Sequence, residues 1–174
     1  MASLIVLLAS CQSRNASLYI QRGQELSGSK AAEVYLEGLK EGESEKLYYN
    51  LAYSYIEEGM FEEAIDIADK ALLMSPQSLR FLNLKAYCQR EGSIDGYKET
   101  IISIIGYYPA DIEARELLLG IYISEGDLEN AEKEAMEIIR RDADNEKAIS
   151  FLASVIPFYK TIAKSEELPA LGDS

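Results

Sequence analysis

Histidine is missing from all 174 positions of the sequence. Its absence removes the commonest metal ligand and the usual general base at neutral pH, the first choices of most hydrolase and metalloenzyme mechanisms. Cysteine is scarce as well. Cys11 and Cys88 are the only two, and processing at Cys11 would leave Cys88 without an intramolecular disulfide partner. Basic residues are few, 17 Lys and Arg against 30 Asp and Glu, a formal charge of −13. Phosphate backbones and anionic membrane surfaces are on the whole repelled by such a chain, so no nucleic-acid partner is expected. The apolar run from Leu4 to Leu8 is far shorter than the ~20 residues that cross a bilayer. A phosphate-cradling loop is also absent: GQELSGSK, from Gly23, lacks the four-residue gap and the preceding strand that a P-loop needs.

What is present is a globular composition. Hydrophobic residues make up 48 %, too many for a disordered acidic tail, and the length suffices for one sizeable domain without metal or disulfide staples. The strongest signal is internal repetition. Three stretches stack: EKLYYNLAYSYIEEGMFEEAIDIADKALLMSPQS from Glu45, SLRFLNLKAYCQREGSIDGYKETIISIIGYYPAD from Ser78, and IEARELLLGIYISEGDLENAEKEAMEIIRRDADN from Ile112. Gly59, Gly92 and Gly126 recur at intervals of 33 and 34 residues, and Pro76, Pro109 and Ala143 keep the same intervals. Within the first unit, Tyr48, Leu51, Ala52 and Tyr55 follow an i, i+3, i+4, i+7 pattern, which resumes at Phe61, Ala64, Ala68 and Ala71. Each unit therefore predicts a helix hairpin. Gly59 supplies a left-handed turn, Asp127 an N-cap, and Pro76 a break after the second helix.

These residues resemble the tetratricopeptide (TPR) repeats, whose 34-residue pattern runs aromatic, Leu, small, Tyr, Gly, Ala, Ala, Pro. The first unit matches nearly throughout, with Tyr48, Leu51, Ala52, Tyr55, Gly59, Ala64, Ala71 and Pro76. In the second, Phe81, Leu84, Gly92 and Pro109 are kept, while Lys85 stands for a small residue, Cys88 for Tyr and Tyr97 for Ala. Leu118, Tyr122, Gly126 and Ala131 carry the third. The resemblance implies an all-α fold, a right-handed superhelix of TPR hairpins (an α-solenoid), with repeats at 45–78, 78–111 and 112–145. A divergent hairpin is expected within 12–44, turning at Ser27-Gly28-Ser29 and burying Ala32, Leu36 and Leu39. After the repeats, 146–160 is expected to be a capping helix with Ile149, Leu152, Ala153 and Ile156 on its inner face, and 161–174 a frayed tail.

Catalysis finds little footing. Asp142, Asp144 and Asn145 have a calcium-loop spacing but neither the Gly nor the closing Glu that such a loop requires, so they read as a turn. The pairs Glu57/Glu58, Glu62/Glu63 and Glu166/Glu167 read as solvated faces, and Cys88 as a buried thiol. Asn15-Ala16-Ser17 matches a glycosylation triplet, which means little in a chain read below as bacterial. No cofactor and no enzymatic activity are expected.

A binding surface is what the family resemblance implies. In such proteins the first helices line a groove with the second, fifth, sixth, ninth, twelfth and thirteenth residues of each unit. The first repeat offers Lys46, Tyr49, Asn50, Tyr53, Ile56 and Glu57; the second Leu79, Leu82, Asn83, Ala86, Gln89 and Arg90; the third Glu113, Glu116, Leu117, Gly120, Ile123 and Ser124. The expected contacts are Tyr49, Asn50, Tyr53, Leu82, Asn83, Gln89, Arg90 and Glu116. Relatives that clamp a C-terminal carboxylate use two Lys, two Asn and a further cation there, of which only Asn83 matches. An apolar segment or helix of another protein suits an aromatic, amide-bearing groove better.

Finally, Leu8-Ala9-Ser10-Cys11 resembles the bacterial lipobox, in which the cysteine is diacylated and becomes the new N-terminus, with QSRNAS as a polar tether. MAS supplies no basic n-region, which points to a start further upstream. Gln12 in the next place resembles lipoproteins sent to the outer membrane. The combined expectation is a lipid-anchored periplasmic adaptor for another envelope protein, which touches the membrane through its lipid alone. The competing expectation is a transporter accessory subunit that binds a substrate-binding protein or a small apolar ligand. An enclosed pocket would favour the small ligand, and an open groove a peptide.

Overall fold

A computed structural model describes residues 15–155; Cys11, Ile156, Pro157 and the tail expected to fray lie outside them. Among the described residues every regular element is helical: α1 (15–24), α2 (Gly28–Glu41), α3 (Glu45–Glu57), α4 (Phe61–Met74), α5 (Leu79–Glu91), α6 (Tyr97–Tyr107), α7 (Ile112–Glu125), α8 (Leu128–Arg141) and α9 (146–155). None of the described helices is long and apolar enough to cross a membrane. Two compact units divide at Ile104/Ile105.

The first unit is organised by α3 and α4. Leu47, Tyr48, Leu51 and Ala52 of α3 meet Ala64, Ile67, Ala68 and Ala71 of α4, all buried in one cluster. Alanine at three of the four α4 positions lets the two backbones approach closely while the larger α3 side chains fill the space between them. Phe81, Leu84 and Cys88 extend the cluster along α5. On the other side α2 adds Ala31, Ala32 and Tyr35, and Gly38 permits contact with α1, since a Cβ there would stand 2.8 Å from Tyr19. Leu36 does not join this face. It is exposed, because the inward stripe runs through 28, 31, 32, 35 and 38. The first amides of α2 are capped from a distance: Ser29 N–H donates to Glu58 Oε1 at 2.7 Å and Gly28 N–H to Glu57 Oε2 at 3.4 Å.

The second unit caps its own helices. Asp111, Asp127 and Asn145 accept from the amides of Ala114, Asn130 and Ala148 at 3.0, 3.2 and 3.1 Å, each satisfying an orphan donor of the first turn. Leu119, Ala131, Ala135 and Ile138 pack with Ala148, Phe151 and Val155 of α9. The buried face of α9 is thus one residue out of the expected register, and Ile149 and Ala153 point to solvent.

The second repeat corrects the sequence register. The left-handed residue after α3 is Gly59 (φ 73°) and after α7 Gly126 (φ 73°), but after α5 it is Ser93 (φ 53°), while Gly92 is right-handed at φ −81°. Ser93 lies 34 residues after Gly59, and α5 begins at Leu79, 34 after the start of α3. The missing residue falls after Ser93, in a hairpin whose turn (92–96) is longer and whose second helix, α6, is shorter than in the first repeat. Aligning on the glycines therefore slipped the first helix of this repeat by one. In the true register Phe81 and Leu82 take the places of Leu47 and Tyr48, Ala86 is the small residue, Cys88 stands for Ser54, and Gln89 for Tyr55. Burial agrees: Leu47, Tyr48, Ala52 and Ser54 are buried, and so are Phe81, Leu82, Ala86 and Cys88. Lys85, at the Leu51 position, reaches sideways to Asp69 Oδ1 at 2.6 Å.

Candidate functional site

On α3, Tyr49, Tyr53 and Ile56 lie at i, i+4 and i+7; on α5, Arg80, Asn83, Leu84 and Tyr87 lie at i, i+3, i+4 and i+7. Each set is one stripe of its helix. Together they line a groove of about 530 Å³. It opens to solvent, with Tyr53 51 % and Tyr87 43 % exposed.

The rings are held by their neighbours. Tyr49 and Tyr53 stack with centroids 6.4 Å apart and planes 25° from parallel, Tyr49 also meets Phe81 edge-on, and Tyr87 meets Phe61 edge-on. Cations sit on two of these faces: the Arg80 guanidinium is 4.9 Å from the Tyr49 centroid and that of Arg90 5.8 Å from Tyr87. Tyrosine offers a broad apolar surface with few rotamers to freeze, so such a lining gains contact area at low entropic cost. Asn83 is exposed, and its amide has no partner among the described residues. It can donate to and accept from a bound backbone.

The expected contacts divide accordingly. Tyr49, Tyr53 and Asn83 come together in the groove. Asn50 sits beside it, its Nδ2 donating to the Lys46 carbonyl at 2.7 Å. Arg90 stands at the Tyr87 end with its Nε donating to Glu91 at 3.0 Å, a hydrogen bond that raises its pKa. Leu82 and Gln89 are inside the repeat, each 5 % exposed. Gln89 ties the turn between α5 and α6 to both helices: its Oε1 accepts from Thr100 Oγ1 at 2.8 Å and its Nε2 donates to the Asp95 carbonyl at 3.1 Å. Glu116 belongs to the second unit, where Asn145 Nδ2 donates to it at 2.6 Å and Lys147 pairs with it, so its pKa is lowered. Arg80, Leu84 and Tyr87 were missed. With the second unit started at Leu79, the family's contact positions give Arg80, Asn83, Leu84 and Tyr87 directly.

Among the described residues no group of three Cys, Asp or Glu side chains is placed to hold a metal ion. The Cys88 thiol is fully buried and its pKa is pushed up to about 11 by desolvation, far from a reactive thiolate at neutral pH.

Helix hairpins stacked through alternating large and small residues define the α-solenoid class. The sequence profile of the tetratricopeptide repeat matches residues 45–78 and 112–145, the repeats on either side of the second one. Those two stretches match as tetratricopeptide repeats, and the hairpins have an α-solenoid fold. Solved structures with the same fold include residues 41 to the end of MamA from Desulfovibrio magneticus RS-1, with 16 % identity and a TM-score of 0.60 over 84 % of this chain and 96 % of that one. The C-terminal part of a TPR repeat-containing protein from Cytophaga hutchinsonii has 19 % identity and a TM-score of 0.65 over 83 % and 61 %. YrrB, described as a TPR protein with an unusual peptide-binding site, has 19 % identity and a TM-score of 0.56 over 88 % and 89 %. No curated protein matches the sequence.

Proposed function

We propose that the chain is a protein-binding scaffold whose α3/α5 groove holds a linear segment of another protein, and that it works at the bacterial envelope, lipid-anchored through Cys11. The observation that carries the first part is the open groove with three tyrosines and an unpartnered amide. Its side is open and its polar groups lie among aromatic faces, which suits a peptide or helix rather than an enclosed small ligand. YrrB, with its peptide-binding site, is a relative in fold that supports the same reading. The anchor rests on Leu8-Ala9-Ser10-Cys11. Outer-membrane attachment facing the periplasm, with an envelope protein as partner, follows from that motif and Gln12.

Tyr53→Ala with Tyr87→Ala tests the groove. Both rings are substantially exposed, so the fold should tolerate the pair, while capture of the cellular partner should fall at least about tenfold, the equivalent of ~1.4 kcal/mol. Capture at wild-type level by a folded double variant contradicts the reading. For the anchor, cells fed an alkyne fatty acid should label the wild type and not Cys11→Ala; an unlabelled wild type refutes it.

A further inference from the structure

Resting on that reading of the groove, we infer that the segment it selects is acidic as well as apolar: an Asp or Glu side chain held at Arg80, and a large apolar side chain about three residues away on Tyr53 and Tyr87. The argument starts from unspent charge. In a chain with 30 carboxylates and 17 cations, Arg80 lines the groove without an ion pair among the described residues; its guanidinium rests on the Tyr49 ring instead. Lys46, 34 residues earlier and so at the same place in the preceding repeat, is exposed and likewise has no ion pair among the described residues.

The carboxylate that opens α3, Glu45, accepts from Ser75 Oγ instead, while Glu57, Glu58 and Glu91 stand at the far ends of the two helices, engaged by Gly28, Ser29 and Arg90. Both stripes therefore begin with a cation and continue into tyrosine. A guanidinium stacked on a ring keeps its edge donors free for a carboxylate, and its weak hydration lowers the cost of pairing.

Spacing sets the motif. From Arg80 to Tyr87 is two helical turns, about 10 Å along the axis. An extended peptide covers that distance in about three residues. Asn83, midway, is placed for the backbone between them.

The probe is a phage-displayed library of random twelve-residue peptides, panned on the full chain and on Arg80→Glu. Wild type should enrich peptides with Asp or Glu three or four positions from Leu, Phe, Ile or Pro. Arg80→Glu should bind those peptides at least about tenfold more weakly, as expected for losing one charged hydrogen bond, and should itself enrich Lys or Arg at that position. Arg80→Gln, which adds no repulsion, should weaken them to an intermediate degree. Enrichment without an acidic preference, or unchanged binding to Arg80→Glu and Arg80→Gln, overturns the acidic motif while leaving the groove in place. Peptides whose binding survives Tyr53→Ala, or a library that yields none, overturn the groove and this inference with it.

Discussion

Arg115 occupies in α7 the place that Tyr48 holds in α3, and Glu134 in α8 the place of Ile67 in α4. An apolar pair in one repeat has become an ion pair in another. Its Nη1 lies 2.6 Å from Glu134 Oε2, its Nε donates to the Pro109 carbonyl at 3.0 Å, and the two side chains are 9 % and 18 % exposed. Desolvation offsets most of the attraction in such a pair, yet removing one member leaves the other uncompensated, at about 3–5 kcal/mol for full burial. Glu134 keeps nearly a fifth of its surface in water, so Arg115→Met should cost about 2–4 kcal/mol. Restoring the first repeat's residues, Arg115→Tyr with Glu134→Ile, should return stability to within about 1 kcal/mol of wild type or above it. Pro109 is an exposed residue, so water can then satisfy its carbonyl. Urea unfolding followed by far-UV circular dichroism reads both effects as midpoint shifts at unchanged slope. A loss below about 1 kcal/mol for Arg115→Met, or a double variant less stable than the single, refutes the reasoning.

Ser93→Gly should stabilise the chain by about 0.5–1 kcal/mol, because the left-handed residue then matches Gly59 and Gly126 and the saving outweighs the added chain entropy; a lower urea midpoint would count against the register. Glu116 has a folded pKa lowered first by the Asn145 hydrogen bond and then by Lys147. Its contribution is complete above the ordinary glutamate value and is lost as pH falls through the lowered one. Glu116→Gln should therefore reduce the acid-side loss of stability between pH 5 and pH 3, and a parallel pH profile would contradict this. In a Cys11→Ser background, Cys88 should resist an aromatic disulfide reagent at pH 8 in the folded chain and react at once in denaturant; fast reaction without denaturant would show that the thiol is not sealed.

Helix order and the turns at Gly59 and Gly126 were legible because hydrophobic period and glycine state the same thing there. The site was only half legible. Gly92 drew the alignment to itself, although the left-handed position had passed to Ser93, which carries no outward sign of its backbone. That single slip exchanged Arg80, Leu84 and Tyr87 for Leu82 and Gln89. Identity alone could not reveal that Gln89 is consumed by Thr100 and the Asp95 carbonyl, nor that Glu116 is consumed by Asn145 and Lys147. Those partners lie 11, 29 and 31 residues away and meet only in the fold. The α9 face slipped for a similar reason: Ile149 and Ala153 are no less apolar than Ala148 and Val155, and packing against Leu119, Ala131, Ala135 and Ile138 decided between them.

The central claim is that the α3/α5 face binds a partner. A photo-crosslinking amino acid placed singly at Tyr53, Asn83 and, as a control away from the groove, Leu73 of α4, which is 85 % exposed, tests it in the cell. The account predicts one common crosslinked partner from Tyr53 and Asn83 and none of it from Leu73. Equal capture from Leu73, or none from the groove positions, would contradict it.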